Sequence, residues 1–517
     1  MHTAVTHTNT VLLLDRRNVG RSNISLARTQ QSIEGDSSAH SVIFSLDSNS
    51  VRPLTIFTDT WCSSGQFLAD GTLVQTGGNL ADNSAHIRTF TPCEEDGVCD
   101  WVEIDSEQLV EGRWYATNQL LPDGVTSIVV GGHRVSSYEY VPKQDLTTWQ
   151  LRLLLAETRG DDENRLYPFV HLLPDGNLFV FANRDSILLD YETNTVLRTF
   201  PTMPGFVARN YPASGSSVLL PLEISSDAGT TSAVTILICG GARPDVHQAP
   251  NLLEIPASDS CGSLTVGSTR SDAVDAEEPQ WVMLVMPRRR VMGDMVLLPD
   301  GQVLIINGAM NGTAGWEDAT APCLEPVIFN PVTAAFEIQA PSTRPRMYHS
   351  TANLLPDGRV LVAGSNTHVR YNFKAEFPTD LSLEVFLPHY LANEEFAASR
   401  PKFSRTQPPT TLNYGTNFRA NIYLPDDQEA FRPSPPSNSS FELRLCNAPY
   451  TTHSVSMGQR QLRLPILHSW QARADRNNVF TVESMAPPTA NLAPPGYYML
   501  FPLYQSIPGA ATWVQLS

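Results

Sequence analysis

Asp-Gly turns between pairs of apolar strands recur along most of the chain, and this repeat limits the possible folds more than any other feature. Each instance is an apolar strand, an Asp-Gly turn, a second apolar strand and then small residues, which is the pattern of a β-hairpin. The turn aspartates are Asp70, Asp123, Asp175, Asp300 and Asp357. A longer hairpin is predicted around Asp227, and MHTAVTHTNTVLLLDR at the start of the chain is predicted to turn near Asn9. Seven hairpins are therefore expected.

A spacing of roughly 50 residues, with small residues after each second strand, is typical of kelch-type propeller blades. Each blade is a four-stranded sheet that buries its faces against neighbouring blades around a central axis. A solenoid of helix pairs is disfavoured, because hairpins with alternating apolar residues form sheets. The predicted fold is all-β, with a seven-bladed kelch-type β-propeller over residues 1–392.

The composition changes after Leu391. Proline-rich stretches such as FRPSPPSNSS separate short β-rich segments such as FRANIYL, FELRLC and GYYMLF, and no Asp-Gly blade hairpin recurs. A length of about 120 residues suits an immunoglobulin-like module. We therefore predict a C-terminal immunoglobulin-like β-sandwich over residues 393–517.

An excess of acidic residues restricts the possible partners. The chain has 53 Asp and Glu against 35 Lys and Arg, a net charge of −18, which repels phosphate backbones and anionic lipid surfaces. No apolar run has the length of a transmembrane helix. We expect no nucleic-acid and no membrane partner. The first residues lack the apolar core of a secretory signal, so an exported protein would have this sequence as its mature form.

Cysteine spacing predicts one disulfide and leaves a second open. Cys93 and Cys99 close the short acidic loop CEEDGVC, which suits a disulfide better than a zinc knuckle. Cys239 and Cys261 are a second candidate pair that spacing alone does not establish. Three glycosylation sequons agree with export; they begin at Asn23, Asn311 and Asn438.

Positions on the innermost strands of the blades form rings around a propeller axis. Counting back eight residues from each turn aspartate gives one position per blade, occupied by Cys62, Tyr115, Tyr167, Met292 and His349. We expect these residues to share one level, with the thiol of Cys62 beside the Tyr115 ring in the adjacent blade. Tyr348 comes directly before His349.

A cysteine, two or three tyrosines and a histidine around one axis indicate a metal site. Two imidazole nitrogens and two phenolate oxygens suit Cu(II), and a bound cation lowers the pKa of a coordinating phenol. A second histidine is needed for this ligand set. The best candidate outside the repeats is His453 in APYTTHSVSMGQRQLRL, on a turn between two strands of the C-terminal module.

Four separated motifs resemble the active-site segments of the galactose oxidase and glyoxal oxidase family of copper-radical enzymes. They are FTDTWCSSG, GRWYATNQLLPDG, STRPRMYHSTANLLPDGRVLVAGS and TTHSVSMGQRQLRLP. The segments ENRLYPFVHLLPDGNLFVFANRDSILLDY and ARNYPASGSSVLLPL further resemble the glyoxal oxidase branch, particularly its plant-type members. The resemblance covers nearly the whole chain.

The resemblance implies a role for each of five residues. Cys62 would be joined to Tyr115 by a thioether bond, and this modified tyrosine would be both a ligand of one copper ion and the radical. Tyr348 would be the axial ligand and general base, and His349 and His453 would be the equatorial ligands. The implied reaction oxidises small aldehydes of the glyoxal or methylglyoxal type to carboxylic acids and reduces O2 to H2O2. A secreted protein of the extracellular space or cell wall, whose peroxide serves peroxidases, is expected.

Two motifs depart from galactose oxidase. Where that enzyme has a tryptophan stacked on the modified tyrosine, GGHRVSS offers His133 or Arg134. Its sugar-contacting arginine is matched by Pro168, so galactose is a poor substrate candidate. Tyr167 and Tyr211 are expected to line the axis.

Three alternatives remain open at the level of sequence. One is an alcohol oxidase of the same family acting on primary or aryl alcohols. Another is a noncatalytic kelch-type module that binds a protein or glycan through its loops, because the fold alone does not specify chemistry. The third is a structural wall protein without activity.

Overall fold

Seven small antiparallel sheets follow one another in chain order in the computed structural model. The structure describes residues 1–26, 36–79, 84–94, 97–143, 145–155, 165–224, 233–267, 278–404, 408–425, 438–471 and 478–517. These sheets are the blades of the predicted propeller, and the all-β prediction is confirmed. Among the described residues, no helix has both the length and the apolar character needed to cross a bilayer.

The first three blades each have four strands in the described chain, and a short helix follows the third. Blade 1 contains β1 (His2–Val5), β2 (Thr10–Leu14), β3 (Ser41–Ser45) and β4 (Val51–Leu54). Blade 2 contains β5 (Ser64–Phe67), β6 (Leu73–Thr76), β7 (His86–Phe90) and β8 (Val102–Gln108). Blade 3 contains β9 (Thr117–Leu120), β10 (Ser127–Val130), β11 (Ser137–Val141) and β12 (Trp149–Gln150), followed by helix α1 (Arg152–Leu155). The hairpin predicted near Asn9 is the β1–β2 turn, where Asn9 has a φ of 55°.

Among the remaining four blades, blade 5 is followed along its first connection by a strand that pairs elsewhere, and blade 6 has an extra hairpin. Blade 4 contains β13 (Phe169–Leu172), β14 (Leu178–Ala182), β15 (Asp185–Asp190) and β16 (Thr195–Thr199). Blade 5 contains β17 (Ser216–Leu219), β19 (Ala233–Cys239), β20 (Ser260–Gly267) and β21 (Trp281–Val285), and β18 (Leu222–Glu223) leaves it. Blade 6 contains β22 (Asp294–Leu297), β23 (Val303–Ile306), β26 (Val327–Asn330) and β27 (Ala335–Ile338), with a separate hairpin of β24 (Ala309–Gly312) and β25 (Ala319–Pro322). Blade 7 contains β28 (Thr351–Leu354), β29 (Val360–Ala363) and β30 (Leu383–Phe386). Strand β28 contacts both β22 and β1, which closes the ring.

Two sheets that share one apolar core follow the propeller, after helices α2 (His389–Ala392) and α3 (Glu394–Ala398). One sheet contains β31 (Lys402–Phe403), β33 (Asn417–Tyr423), β38 (Ile466–Gln471) and β39 (Val479–Met485). The other contains β32 (Thr411–Leu412), β34 (Phe441–Asn447), β37 (Gln461–Leu464), β40 (Gly496–Tyr504), β41 (Ile507–Pro508) and β42 (Thr512–Leu516), joined by β18. The predicted C-terminal β-sandwich is present.

Strand β18 differs from the prediction for the enlarged hairpin of blade 5. The sequence places this segment within the blade, whereas Leu222 pairs in parallel with Leu462 on β37 of the sandwich. The predicted turn residue Asp227 lies outside the described residues. The sandwich therefore shares a backbone ladder with the propeller.

A hairpin from the C-terminal segment extends blade 1 toward the axis. Strand β35 (Tyr450–Thr452) pairs with β1, and β36 (Val455–Met457) pairs with β35. The two strands contact the innermost strands β5, β9, β17, β22 and β28 of five other blades. Residues at the turn of this hairpin are thereby held inside the central channel.

Buried arginines that precede the innermost strand of a blade bind the glycine that follows the second strand of the same blade. The Nη1 of Arg113 donates to the carbonyl oxygen of Gly131 at 2.8 Å, and that of Arg346 donates to Gly364 at 2.6 Å. Arg209 donates in the same way to Gly240. The backbone of these glycines has a φ near +74°, where a side chain is strained. These arginine contacts and the positive φ explain why glycine follows the second strand in these repeats.

The predicted Cys93–Cys99 disulfide and the candidate Cys239–Cys261 pair are both formed. Cys93 pairs with Cys99 at an S–S distance of 2.11 Å, and Cys239 pairs with Cys261 at 2.08 Å between β19 and β20. Cys62, Cys323 and Cys446 are free and buried.

Candidate metal centre

The five residues predicted to share one level also share one backbone conformation. Each lies two residues before the innermost strand of its blade, in the left-handed region. The φ values are 55° for Cys62, 66° for Tyr115, 49° for Tyr167, 58° for Met292 and 65° for His349. Ser214 occupies the same place before β17, with a φ of 41°. Because Ser214 and Met292 adopt it too, this strained conformation belongs to the propeller scaffold and is available for chemistry in any blade.

Backbone hydrogen bonds set the spacing between neighbouring blades at this level. The amide of Tyr115 donates to the carbonyl of Cys62 at 3.0 Å, and the amide of Tyr167 donates to that of Tyr115 at 2.9 Å. The Cys62 and Tyr115 side chains pack in one buried cluster, and the Tyr115 hydroxyl is near enough to the thiol to affect its pKa, which burial raises. The predicted placement of a thiol beside a phenol is thus observed.

The turn of the β35–β36 hairpin brings a histidine to the same place. His453 and Ser454 are the two turn residues, with φ values of 47° and 68°, as in the type I′ turns that suit two-residue hairpins. The Nε2 of His453 is 3.4 Å from the Sγ of Cys62, and its Nδ1 is 2.6 Å from the Oγ1 of Thr452. Its Nε2 therefore faces the axis.

The second imidazole lies across from the first. The ring centroids of His349 and His453 are 4.7 Å apart, with an angle of 88° between the ring planes. One donor atom from each of Cys62, His349 and His453 fits within a group no more than 4.8 Å across, and all three residues are buried. The Nδ1 of His349 is buried without a hydrogen-bond partner among the described residues. Both imidazoles are thus available to a ligand.

Three phenols are linked by hydrogen bonds beside the imidazoles. The Tyr115 hydroxyl donates to that of Tyr211 at 3.2 Å, and the hydroxyls of Tyr211 and Tyr348 share a hydrogen bond of 2.9 Å. The Tyr348 ring stacks on the imidazole of His349, with centroids 3.8 Å apart. The Tyr115 and Tyr348 rings lie 5.9 and 5.6 Å from that of His453, so these side chains and His349 form one buried cluster.

Burial determines the charge state of these groups when no cation is bound. Desolvation lowers the pKa of His349 and His453 well below the usual value, so both imidazoles are neutral, the form that binds metals. Desolvation also raises the pKa of Tyr115 and Tyr348 well above the usual value, so both phenols hold their protons. A bound cation would reverse this effect on the phenols. The nitrogen and oxygen donors fit copper.

The sequence offers His133 or Arg134 at this place in the blade but does not identify the ring that stacks on Tyr115. Neither His133 nor Arg134 stacks there, because the Trp114 indole lies against Tyr115 and the His133 ring meets the edge of that indole, with centroids 5.4 Å apart. Tyr211 takes this position, with its ring 4.5 Å from that of Tyr115 and 25° from parallel. Tyr211 precedes the first strand of blade 5, two blades after that of Tyr115, so the sequence around Tyr115 could not reveal this contact.

Tyr167 lies on the axis, as predicted, but its hydroxyl is occupied. It donates to the carbonyl of Ser63 at 3.1 Å, and its ring lies 5.1 Å from that of His453. Tyr167 therefore supports the imidazole from the side.

Sequence reasoning missed an aromatic group next to the phenols. It consists of Trp61, Trp114 and Trp316, with Arg16 against two of the rings. One signal was present in the sequence, because a tryptophan directly precedes both Cys62 and Tyr115.

Family models divide the chain into two matched parts. Residues 1–390 match the model described as glyoxal oxidase N-terminus, and residues 400–516 match the model described as galactose oxidase-like, Early set domain.

Similar proteins span nearly the whole chain. Aldehyde oxidase GLOX of Vitis pseudoreticulata is 44% identical, covering 100% of this chain and 94% of its own length. Aldehyde oxidase GLOX1 of Arabidopsis thaliana is 41% identical, covering 92% of this chain and 75% of its own length. A copper complex of a fungal alcohol oxidase of the AA5 family has the same fold, with a TM-score of 0.71 and 18% identity over 100% of this chain and 96% of its own. The chain belongs to the glyoxal oxidase family.

Proposed function

We propose that this protein is a copper-radical oxidase that converts small aldehydes to carboxylic acids and reduces O2 to H2O2. The observation that supports it most is the convergence of a thiol, two phenols and two imidazoles from three blades and the C-terminal hairpin in one buried cluster. The full-length relatives named as aldehyde oxidases favour an aldehyde over an alcohol as substrate.

Four residues would hold one copper ion: Tyr115, Tyr348, His349 and His453. When bound, copper supplies Lewis acidity for a substrate oxygen and accepts one electron. In this proposal residues 1–392 contribute three ligands, and the sandwich of residues 393–517 contributes His453.

Cys62 would be covalently joined to Tyr115 in the active protein. A C–S bond forms between Sγ and the ring carbon beside the hydroxyl, the S–H and ring C–H bonds break, and the two hydrogens and two electrons pass to O2 as H2O2. A sulfur substituent makes the phenol easier to oxidise, which suits Tyr115 to act as the radical. The stacked ring of Tyr211, 4.5 Å away, would shield that radical from solvent.

Tyr348 would act as the general base. Its phenolate takes the proton from a hydroxyl of the hydrated aldehyde, and the Tyr115 radical takes the hydrogen atom from the carbon. The hydrogen bond between Tyr211 and Tyr348 orients this base. The overall reaction is balanced: RCH(OH)2 and O2 give RCOOH and H2O2.

Export to an oxidising compartment belongs to the same proposal. Two disulfides in the described structure favour the extracellular space or cell wall, since such bonds are rare where thiols are kept reduced. Peroxide released there would be available to peroxidases.

The proposal is tested by peroxide release from purified protein loaded with copper. We expect H2O2 in equal amount to the aldehyde consumed, and none after copper removal. His453→Ala should abolish release and copper binding, while His468→Ala, at an exposed histidine of the sandwich, should change neither. Absence of peroxide from the loaded wild type with a panel of aldehydes and alcohols would refute an oxidase and favour a binding module.

A further inference from the structure

A line of aromatic rings leads away from Tyr115, the residue that would carry the radical. Trp114 contacts the Tyr115 ring, with centroids 4.5 Å apart. Trp61 lies 4.8 Å from Trp114, and Trp316 stacks on Trp61 at 5.1 Å. Tyr115 is buried, whereas all three tryptophans are partly exposed. Because rings in contact exchange electrons readily, this line is a route by which the radical can leave Tyr115.

Loss of the radical along this line is a one-electron transfer. The electron passes from an indole to the Tyr115 phenoxyl, which becomes a phenolate, and the indole is left as a cation radical. Release of its N–H proton to an acceptor makes it a neutral radical. That radical adds O2 and takes one hydrogen atom from H2O2, which becomes a hydroperoxyl radical, so the tryptophan ends heavier by two oxygen atoms. Each such event removes the oxidising equivalent from the centre and damages the protein.

No acceptor for that proton lies next to these indoles among the described residues. Three Nε1 atoms are buried and without a hydrogen-bond partner, namely those of Trp61, Trp114 and Trp316. Other indoles do have acceptors: Trp101 donates to Ser41 at 2.9 Å, and Trp281 donates to Pro201 at 2.8 Å. An oxidised indole of the aromatic group therefore keeps its proton and its positive charge, and a buried charge is costly.

Arg16 adds a second positive charge at the same place. It is 5% exposed, and its Cζ is 4.8 Å from the ring centroids of both Trp61 and Trp316. Its Nη2 donates to the carbonyl of Val369, and its Nε is buried without a partner. The carboxylate of Asp15 accepts from the Arg16 backbone amide at 2.8 Å, and within the described chain no carboxylate forms an ion pair with the guanidinium. The charge is therefore not neutralised where it meets the rings.

A cation at this distance favours a neutral ring and disfavours an oxidised one. Cation–π attraction stabilises the electron-rich indole, whereas two positive charges repel, and the repulsion is strongest where water is excluded. Arg419 provides the contrast, because it lies 5.3 Å from the Trp470 ring but is 63% exposed and pairs with Glu483 at 3.7 Å. Solvent and the carboxylate screen that charge. The charge of Arg16 has neither form of compensation among the described residues.

We propose that Arg16 confines the radical to Tyr115 by making Trp61 and Trp316 difficult to oxidise. This inference rests on the proposed oxidase function, since it concerns how the oxidised centre survives between turnovers. The indoles pack against Tyr115 and give it apolar surroundings, but the same rings open a route for electrons. The charge of Arg16 and the indole protons without acceptors close that route. Arg16 is a positioning residue for this reaction, because it acts on the radical through the indoles.

The first test follows the radical in copper-loaded, oxidised protein without substrate, through the visible absorption of the tyrosyl radical. Arg16→Met removes the charge, so the radical should decay at least about 10-fold faster than in the wild type. Arg16→Lys keeps the charge and should keep most of the lifetime. The matched control is Arg419→Met, which removes the exposed cation over Trp470 and should leave the lifetime unchanged. An unchanged lifetime in Arg16→Met would overturn the proposal.

A double variant separates loss of the charge from a general disturbance of the site. Trp61→Phe interrupts the line of rings, because a phenyl ring is much harder to oxidise than an indole. Adding Trp61→Phe to Arg16→Met should therefore return the lifetime close to the wild-type value. A double variant as short-lived as the single one would contradict a route through Trp61. If Arg16→Met does not fold, as judged by its thermal unfolding, Arg16→Gln replaces it, since this neutral side chain keeps a donor for Val369.

The second test measures the indoles themselves in copper-free protein, so it does not need the proposed activity. Azide radicals oxidise indoles by one electron, and peptide mass spectrometry then locates the added oxygen. Trp61 and Trp316 should gain at least about 5-fold more oxygen in Arg16→Met than in the wild type, and no more in Arg419→Met. Equal oxidation in a protein whose loaded form carries the radical would refute the role of Arg16 alone. More oxidation in Arg16→Met, with no radical in any loaded protein, would support the effect of Arg16 on the indoles and refute the oxidase.

Discussion

Two sides of the propeller axis use one backbone position for different purposes. In blades 2, 3 and 7 the position holds Cys62, Tyr115 and His349, which converge on the candidate metal centre. In blades 5 and 6 the same left-handed position holds Ser214 and Met292, which are buried and contribute no ligand. Met292 instead packs in the apolar cluster with Tyr348. The scaffold thus offers equivalent places, and side-chain chemistry decides which of them react.

The largest effect is expected when the residue found at this position in blade 6, which holds no ligand, replaces the proposed ligand of blade 7. His349→Met puts the residue of blade 6 into blade 7 with little change in volume, but it replaces a nitrogen donor. Copper should bind at least about 100-fold more weakly and peroxide release should be lost, as measured by metal analysis and a peroxide assay. Full copper retention would contradict the assigned ligand.

A smaller effect is expected from the bridging phenol. Tyr211→Phe keeps the ring stacked on Tyr115 but removes the hydroxyl that bonds Tyr115 and Tyr348 at 3.2 and 2.9 Å. The kcat should fall about 10-fold, the equivalent of one or two net hydrogen bonds. Tyr211→Leu also removes the ring, so its kcat should be lower still. The radical signal in electron paramagnetic resonance should have a shorter lifetime in this variant. Equal rates for both variants would mean that stacking has no role.

In blade 6, which contributes no proposed ligand, the pH should affect the free energy of unfolding through one buried carboxyl group. Burial raises the pKa of Asp294, at the start of β22, to about 8. Because this folded-state pKa lies above the unfolded one, the folded protein binds the extra proton between about pH 4 and 8, and its stability falls as the pH rises through that window. Asp294→Asn should therefore flatten the dependence of the melting temperature on pH between 5 and 8. An unchanged slope would contradict a buried protonated carboxyl.

The smallest effect is expected from a conservative change of Met292, which occupies the shared backbone position in blade 6. Met292→Leu should alter kcat/KM less than about 3-fold and cost under about 1.5 kcal/mol of unfolding free energy, because it exchanges apolar side chains of similar volume. Steady-state kinetics and chemical denaturation measure the two quantities. A loss of copper would show that this side also contributes to the centre.

The repeat predicts those parts of the fold that follow from local chemistry. Asp-Gly turns specify hairpins within a few residues, and counting from Asp357 or Asp123 reaches His349 and Tyr115 because those blades keep one spacing. Counting fails in blade 5, because the segment between β17 and β19 is longer than the corresponding segments of the other blades, so neither Ser214 nor the stacking role of Tyr211 could be assigned.

Contacts between distant segments were not predictable in the same way. The pairing of β35 with β1 and of β18 with β37 depends on how the sandwich sits on the propeller, which no local pattern encodes. The aromatic group of Trp61, Trp114 and Trp316 had a partial signal in the first two residues, but Trp316 comes from an inserted hairpin of blade 6. The Cys93–Cys99 disulfide was predictable from its short spacing, whereas the Cys239–Cys261 disulfide follows from the register of β19 and β20, which the sequence does not show.

The thioether between Cys62 and Tyr115 is the most direct test of the account. Copper-loaded wild type, Cys62→Ala and Cys323→Ala are compared under reducing, denaturing conditions, with Cys323→Ala as the control for loss of a free buried cysteine. The wild type and the control should each have two hydrogens less than their composition requires and shifted gel mobility, whereas Cys62→Ala should show neither. A wild-type mass that matches the uncross-linked composition would contradict a radical centre at Tyr115.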